Sequence, residues 1–234
     1  MKVCFSPAGE FVNLEPAARA KAGRLAAAAE EGKKFFVLPA TGDQNCLEWL
    51  LGSFYSPLTV VPLFPALPKI EKDRLLAQLP AEECVDLANL TANSAVAREK
   101  SPEEIWAVIF SSGSSGEPKG VALSGRALRE SAAAHMEHSG RHNWLLNLPL
   151  HHVGGFSVVS RSFFSGTNLA VAGARFSTEE TIGWLQSGKV EGVSLVPTTL
   201  SRLLRANADS SFLRLALLGG APAGPEYEEA AALG

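Results

Sequence analysis

Between Lys34 and Leu218 the chain alternates short apolar runs, rich in Val, Ile, Leu and Phe, with stretches of helical periodicity. A short run that is apolar throughout reads as a strand covered on both faces, and helices of about ten residues between such runs supply the cover. The pattern restricts the chain to an α/β fold of mostly parallel sheets flanked by helices. Strands are predicted at Lys34–Leu38, Thr59–Phe64, Cys84–Leu87, Ile105–Phe110, Gly120–Leu123, Trp144–Leu148, Asn168–Ala172, Gly192–Val196 and Leu213–Leu218. Helices are predicted from an Asn13 cap through Pro16 to Gly32, over Asp43–Leu51, and over Ile70–Leu79 ahead of Pro80. Further helices follow caps at Ser124, Ser177 and Thr198, and one lies near Phe156–Phe164.

Residues Ala88–Glu104 break the alternation with polar residues and read as a linking loop, so a first βα portion is expected over 1–100 and a second over 101–234. Ala221-Pro222-Ala223-Gly224-Pro225 opens a helix for which Gly234 is the expected C-cap. A further strand is the ordinary sequel in such a sheet, so the chain reads as cut off.

With 234 residues, 46% apolar and 19% charged, the chain can bury a real core, which excludes disorder of the whole. A balance of 21 Lys+Arg against 24 Asp+Glu leaves no basic footprint for nucleic acid. Cys4, Cys46 and Cys84 are odd in number, far apart and without a CxxC pair, so they read as reduced thiols. The first residues carry no signal-peptide run, and the densest apolar stretch, Leu58–Leu67, is broken by Pro62 and Pro65. A cytoplasmic protein without a membrane anchor is expected.

The chemistry concentrates in Ser111-Ser112-Gly113-Ser114-Ser115-Gly116-Glu117-Pro118-Lys119-Gly120, directly after the apolar run Ile105–Phe110. Gly113 and Gly116 allow successive N–H groups to turn toward one anion, and four serine hydroxyls add donors. Lys119 adds a point charge, which about 4 Å from a phosphate is worth on the order of 4 kcal/mol in a cleft before desolvation. A flexible Gly/Ser linker has a similar composition but needs neither the strand before it nor the Pro-Lys-Gly after it. A Walker A loop requires Gly-Lys-[Ser/Thr] feeding a helix, whereas Lys119 follows a proline and leads into Gly120-Val121.

The stretch Ser111–Val121 resembles the phosphate loop of the acyl-adenylate-forming superfamily, whose usual form is Thr-Ser-Gly-Thr-Thr-Gly-x-Pro-Lys-Gly-Val; Ser111, Ser114 and Ser115 keep the hydroxyls. Leu148-Pro149-Leu150-His151-His152-Val153-Gly154-Gly155 resembles the superfamily segment in which a histidine or aromatic lines the acyl pocket, and His152 falls on that position. Leu217-Leu218-Gly219-Gly220-Ala221-Pro222 resembles the turn that packs against adenine. Val193–Leu200 with Leu203-Leu204 is most similar to the o-succinylbenzoate-CoA ligases of menaquinone synthesis, and Val61–Pro68 is similar to a superfamily strand and turn.

The resemblance implies an incomplete N-terminal domain of an adenylate-forming ligase. Such an enzyme uses ATP with Mg2+ to convert a small-molecule carboxylic acid into acyl-AMP and then into a thioester of coenzyme A. It implies that Ser111, Ser112, Gly113, Ser114, Ser115, Gly116 and Lys119 hold the β- and γ-phosphates. Gly219, Gly220, Ala221 and Pro222 would frame adenine, and His152 would border the reacting carboxyl.

Two departures follow from the same comparison. Gly125 stands where the superfamily often has histidine after the loop strand. The Tyr-Gly-x-Thr-Glu segment, the ribose aspartate, the hinge and the lid domain with its lysine are absent from these residues, so the chain alone is expected not to turn over. A nucleotide-binding module without turnover, half of a split ligase, and another acyl- or aryl-CoA ligase are the alternatives.

All five histidines fall between His135 and His152. His135 and His138 could share a helix face for zinc, but no cysteine is near, so no metal site is expected and His135–His142 read as solvated residues near a helix end. For His152 a satisfied histidine at a helix start stands beside the substrate-lining role. Leu200, Leu203 and Leu204 have the helical spacing of core residues, and Glu179-Glu180 and Glu228-Glu229 read as exposed helix charges.

Overall fold

A computed structural model describes residues 1–111, 117–173, 176–206, 211, 213–222 and 224. In chain order the elements are β1 (Lys2–Cys4), β2 (Val12–Asn13), α1 (Glu15–Glu30), β3 (Phe35–Pro39), α2 (Gln44–Phe54), β4 (Thr59–Leu63), α3 (Lys69–Leu76), β5 (Cys84–Asp86), β6 (Ile105–Ser111) and β7 (Lys119–Ser124). They continue with α4 (Gly125–Ser139), β8 (Trp144–Leu146), α5 (Val153–Ser165), β9 (Leu169–Val171), α6 (Thr178–Gln186), β10 (Gly192–Leu195), α7 (Pro197–Arg205) and β11 (Leu215–Leu218). The expected helix from Ala221 to Gly234, and with it Glu228-Glu229, lies almost wholly outside the described residues.

Two compact units result. One comprises Asn13–Ser131 with Leu150–Val153, and the other Met1–Val12, Ala132–Pro149 and Gly154–Gly234. The division expected between residues 100 and 101 is therefore corrected. β6 pairs with β4, which carries β6 and β7 into the sheet of the earlier strands, while β1 pairs with β9, some 165 residues along. Apolar runs reveal that strands exist; which strands become neighbours is decided by long-range pairing.

In the first unit the sheet order is β5-β3-β4-β6-β7. β3 runs parallel to β4 and β5, and β4 parallel to β6, whereas β6 and β7 form an antiparallel hairpin from Ile105↔Ser124 to Ser111↔Lys119. One face is cored by Val37, Val61, Leu63 and Val108. Helix α2 also buries aromatic rings, with Phe36 meeting Trp49 at 5.6 Å and Phe54 meeting Trp106 at 5.3 Å. The helix begins where Asp43 accepts the Cys46 N–H at 2.7 Å. The linking segment is anchored by Lys100, whose buried ammonium donates to the Leu58 carbonyl and whose burial pushes its pKa down to about 7.

The second unit carries the order β11-β10-β8-β9-β1-β2, parallel at β1/β9, β9/β8, β8/β10 and β10/β11. Its core gathers Cys4, Leu145, Trp184, Val193, Leu200 and Leu203, with Leu204 partly buried against it, so the three leucines of α7 face the core as their spacing predicts. Thr198 does not cap α7: Val196 occupies the cap and Thr199 Oγ1 accepts its N–H at 3.0 Å, because Pro197 already fills the first helical position. Ser124 and Ser177 do cap, accepting the N–H groups of Ala127 at 3.1 Å and Glu180 at 3.2 Å. Glu180 has more than a surface role, since its carboxylate accepts the Gly173 N–H just past β9. Among the described residues, no helix is long and apolar enough to cross a membrane.

Candidate functional site at the carboxyl edges of the sheets

Ser112, Gly113, Ser114, Ser115 and Gly116 lie outside the described residues; the two ends of their loop do not. Ser111 closes β6 and Lys119 opens β7 directly opposite it, with the Ser111 hydroxyl donating to the Lys119 carbonyl at 3.4 Å. The loop thus starts and finishes one strand spacing apart, with the Lys119 side chain exposed beside it. Gly120 is required by close approach, because a Cβ there would sit 3.1 Å from Val108 Cγ1 and 3.3 Å from Phe110 Cε1. A glycine after the lysine therefore leaves room for the Val108 and Phe110 side chains across the hairpin.

The parallel pairing of β4 with β6 brings the carboxyl ends of both strands to one edge of the sheet. That edge is where α/β sheets place ligands. Phe64, immediately past β4, remains 46% exposed there. Its ring lies 5.3 Å from His151, which in turn lies 4.2 Å from His152. The edge therefore presents an aromatic row of Phe64, His151 and His152 in the same unit as Ser111 and Lys119.

His152 is exposed, as a substrate-lining residue needs to be, while His151 is half-buried. Burial, reinforced by the neighbouring His152, pushes the His151 pKa down to about 4, and its Nδ1 is buried without a hydrogen-bond partner. A neutral imidazole at pH 7 follows. Phe64 and His151 were not picked out from the sequence. The similarity of Val61–Pro68 to a superfamily turn was the only pointer to Phe64.

In the second unit the expected adenine turn follows β11 at the carboxyl edge of its own sheet. Gly219, Gly220, Ala221 and Pro222 are all exposed, and the Gly219 N–H donates to the Leu195 carbonyl at 3.1 Å. Gly220 has φ +83 and would bring a Cβ to 3.0 Å from Val196 Cγ1, so glycine there answers to the backbone, while Gly219 has open space around its Cβ position.

The same unit corrects the expectation of a solvated histidine at His135, while His138 is exposed. His135 is half-buried 5.0 Å from the Trp144 ring, and its pKa is lowered to about 4 by burial, then by Arg161, His142 and His138. Arg161 of α5 lies over the other component of this stack, 4.4 Å from the Trp144 centroid, with Nη1 buried and without a hydrogen-bond partner. Burial lowers its pKa to about 10, and among the described residues no carboxylate pairs with it. No group of three His, Cys, Asp or Glu among the described residues is placed to hold a metal ion by itself.

Two mostly parallel α/β sheets, one with a lysine-bearing strand–loop–strand at its carboxyl edge, place the chain among α/β proteins whose ligands meet the strand ends. The family model described as AMP-binding enzyme matches residues 59–232, and the chain belongs to that family. Among curated proteins it is 36% identical over 123 residues to the 2-succinylbenzoate–CoA ligase of Lactococcus lactis, a match covering 51% of this chain and 27% of that protein. The Bacillus pumilus ligase of the same name is 36% identical over 120 residues, covering 50% of this chain and 24% of its own length. The matched segment thus spans about a quarter of these relatives.

Among solved structures, the Bacillus subtilis o-succinylbenzoate coenzyme A synthetase in complex with AMP superposes with a TM-score of 0.83 at 23% identity, over 99% of this chain and 67% of that one. The same enzyme in complex with ATP and magnesium ion gives a TM-score of 0.79 at 23% identity, over 98% of this chain and 54% of that one. These likenesses establish the fold.

Proposed function

We propose that this chain is the nucleotide-binding part of an AMP-forming acid–thiol ligase and that its acid is 2-succinylbenzoate. The observation that carries the reading is the Ser111–Lys119 hairpin at the carboxyl edge of a parallel sheet, in a chain of the AMP-binding family. The names of the relatives support the choice of acid. ATP would be held by Ser111–Gly116 and Lys119, with Gly219–Pro222 against adenine, and Mg2+ would arrive as counter-ion of the phosphates. The described residues supply no metal cage, so no step is assigned to Mg2+ here.

In this reading the protein does little covalent work. Preplaced donors and the Lys119 charge stabilise the phosphates while the acid's carboxylate attacks the α-phosphorus, giving acyl-AMP and pyrophosphate. The thiol of coenzyme A then displaces AMP. His152 borders the reacting carboxyl, and neutral His151 holds its ring against Phe64 on one side and His152 on the other.

The test uses stable acyl-AMP analogues, which do not depend on turnover. A 2-succinylbenzoyl analogue is expected to bind these 234 residues at least tenfold tighter than AMP or an alkyl-acyl analogue, by calorimetric titration. AMP release from the acid, Mg-ATP and coenzyme A by the same residues is expected to stay at background. Equal affinity for the aryl and alkyl analogues would remove the assignment of the acid.

A further inference from the structure

The residues flanking Lys119 are tied to α3 and to the turn after it, an arrangement that the assignment of the loop does not use. Gln78 donates through Nε2 to the Pro118 carbonyl at 2.8 Å and accepts through Oε1 the Gly120 N–H at 3.1 Å. Its amide therefore brackets Lys119 from both sides along the backbone. Arg74, one helical turn earlier, forms an ion pair with Glu117. With the Ser111 hydroxyl on the Lys119 carbonyl, both peptide units that flank this lysine are held by side-chain hydrogen bonds.

Neither bond is demanded by the sheet. Among the described residues β7 pairs with β6 alone, and Gln78 bonds the backbone of β7 beside Lys119. All of these groups are exposed, where a single hydrogen bond adds little to folding. Such bonds can matter more to a ligand, because a lysine whose backbone is already set loses less freedom when it meets a phosphate.

We propose that Gln78 is a positioning residue for the phosphate site: its amide holds the backbone on both sides of Lys119 so that the ammonium is aimed at the pyrophosphate end of ATP. This rests on the reading of Ser111–Lys119 as the phosphate loop. The partner implied is a polyphosphate tail, so the effect should be confined to that part of the nucleotide.

The experiment titrates the 234-residue chain and its variants with inorganic pyrophosphate, Mg-ATP and AMP. Gln78→Met, which keeps the length of the side chain and removes both bonds, is expected to weaken pyrophosphate and Mg-ATP by about fivefold each, with AMP unchanged. Gln78→Glu loses the donor to Pro118 and sets a negative charge beside Lys119, so a loss of the two polyphosphate ligands at least as large as that of Gln78→Met is expected. A merely structural role would move all three ligands together, or the melting temperature, and that outcome overturns the proposal. If Lys119→Ala abolishes pyrophosphate binding while both Gln78 variants match the unaltered chain, the Gln78 proposal alone falls. If Lys119→Ala also binds as the unaltered chain does, the phosphate reading falls and takes this proposal with it.

Discussion

Lys119→Ala is expected to weaken pyrophosphate and Mg-ATP binding by about 50-fold, the largest ligand effect of any single change in this chain. The ammonium is exposed beside the loop, and its backbone is held by Ser111 and by pairing across the hairpin. A unit charge about 4 Å from a phosphate is worth on the order of 4 kcal/mol at an effective dielectric near 20, and only about 1 kcal/mol in water. With part of that spent on desolvation, a net of about 2 to 2.5 kcal/mol remains, which is the stated factor. Lys119→Arg keeps the charge and is expected to retain most of the affinity, whereas AMP, lacking the tail, should bind both variants as it binds the unaltered chain. Titration calorimetry at fixed ionic strength reads all three. A loss below about threefold for pyrophosphate would mean that this lysine does not meet the anion.

Gly155→Ala should produce the largest loss of stability. Gly155 is buried in the first turn of α5, and a Cβ on it would lie 2.3 Å from the Pro149 carbonyl oxygen and 2.6 Å from that of Leu148. Both are backbone atoms, so the helix or the segment leaving β8 must shift; overpacking of this kind costs about 3 kcal/mol or somewhat more. In a chain of this size that corresponds to a fall in Tm of about 6–12 °C. Gly154→Ala is the internal control. Its Cβ would meet only the end of the Leu148 side chain, at 3.2 Å, which can rotate away. Replacing a helical glycine also recovers up to about 1 kcal/mol of backbone entropy. Thermal unfolding of the two variants side by side checks the argument, and equal Tm values would contradict it.

Much of the fold is legible in the chain. Val60–Leu63 and Trp106–Ile109 are apolar without interruption and buried throughout, and Asp43, Ser124 and Ser177 mark helix starts by the chemistry of the cap. The antiparallel sense of β6 and β7 was open to deduction as well, since a parallel crossover needs about a dozen residues and residues 112–118 are fewer. Partnership between distant segments was not legible. β1 is three residues long and pairs with β9 far along the chain, and nothing local to either declares the other.

The candidate site divides along the same line. The proposed phosphate loop Ser111–Lys119 stands out in the sequence because its glycines, hydroxyls and lysine lie within one short segment. The row of Phe64, His151 and His152 depends on chain segments almost ninety positions apart reaching one edge. His135 looked like a solvated residue of a helix end. Its ring instead faces Trp144, because the last turns of α4 face β8, and helical periodicity alone does not say which neighbour a face meets.

In the proposed function the segment between β6 and β7 receives the tail of ATP. A crystal structure of the chain with Mg-ATP tests it most directly. The β- and γ-phosphate oxygens are expected within about 3 Å of donors from residues 111–116 and of Lys119 Nζ. Well-defined phosphates bound elsewhere, with that loop and Lys119 making no contact to them, would contradict it.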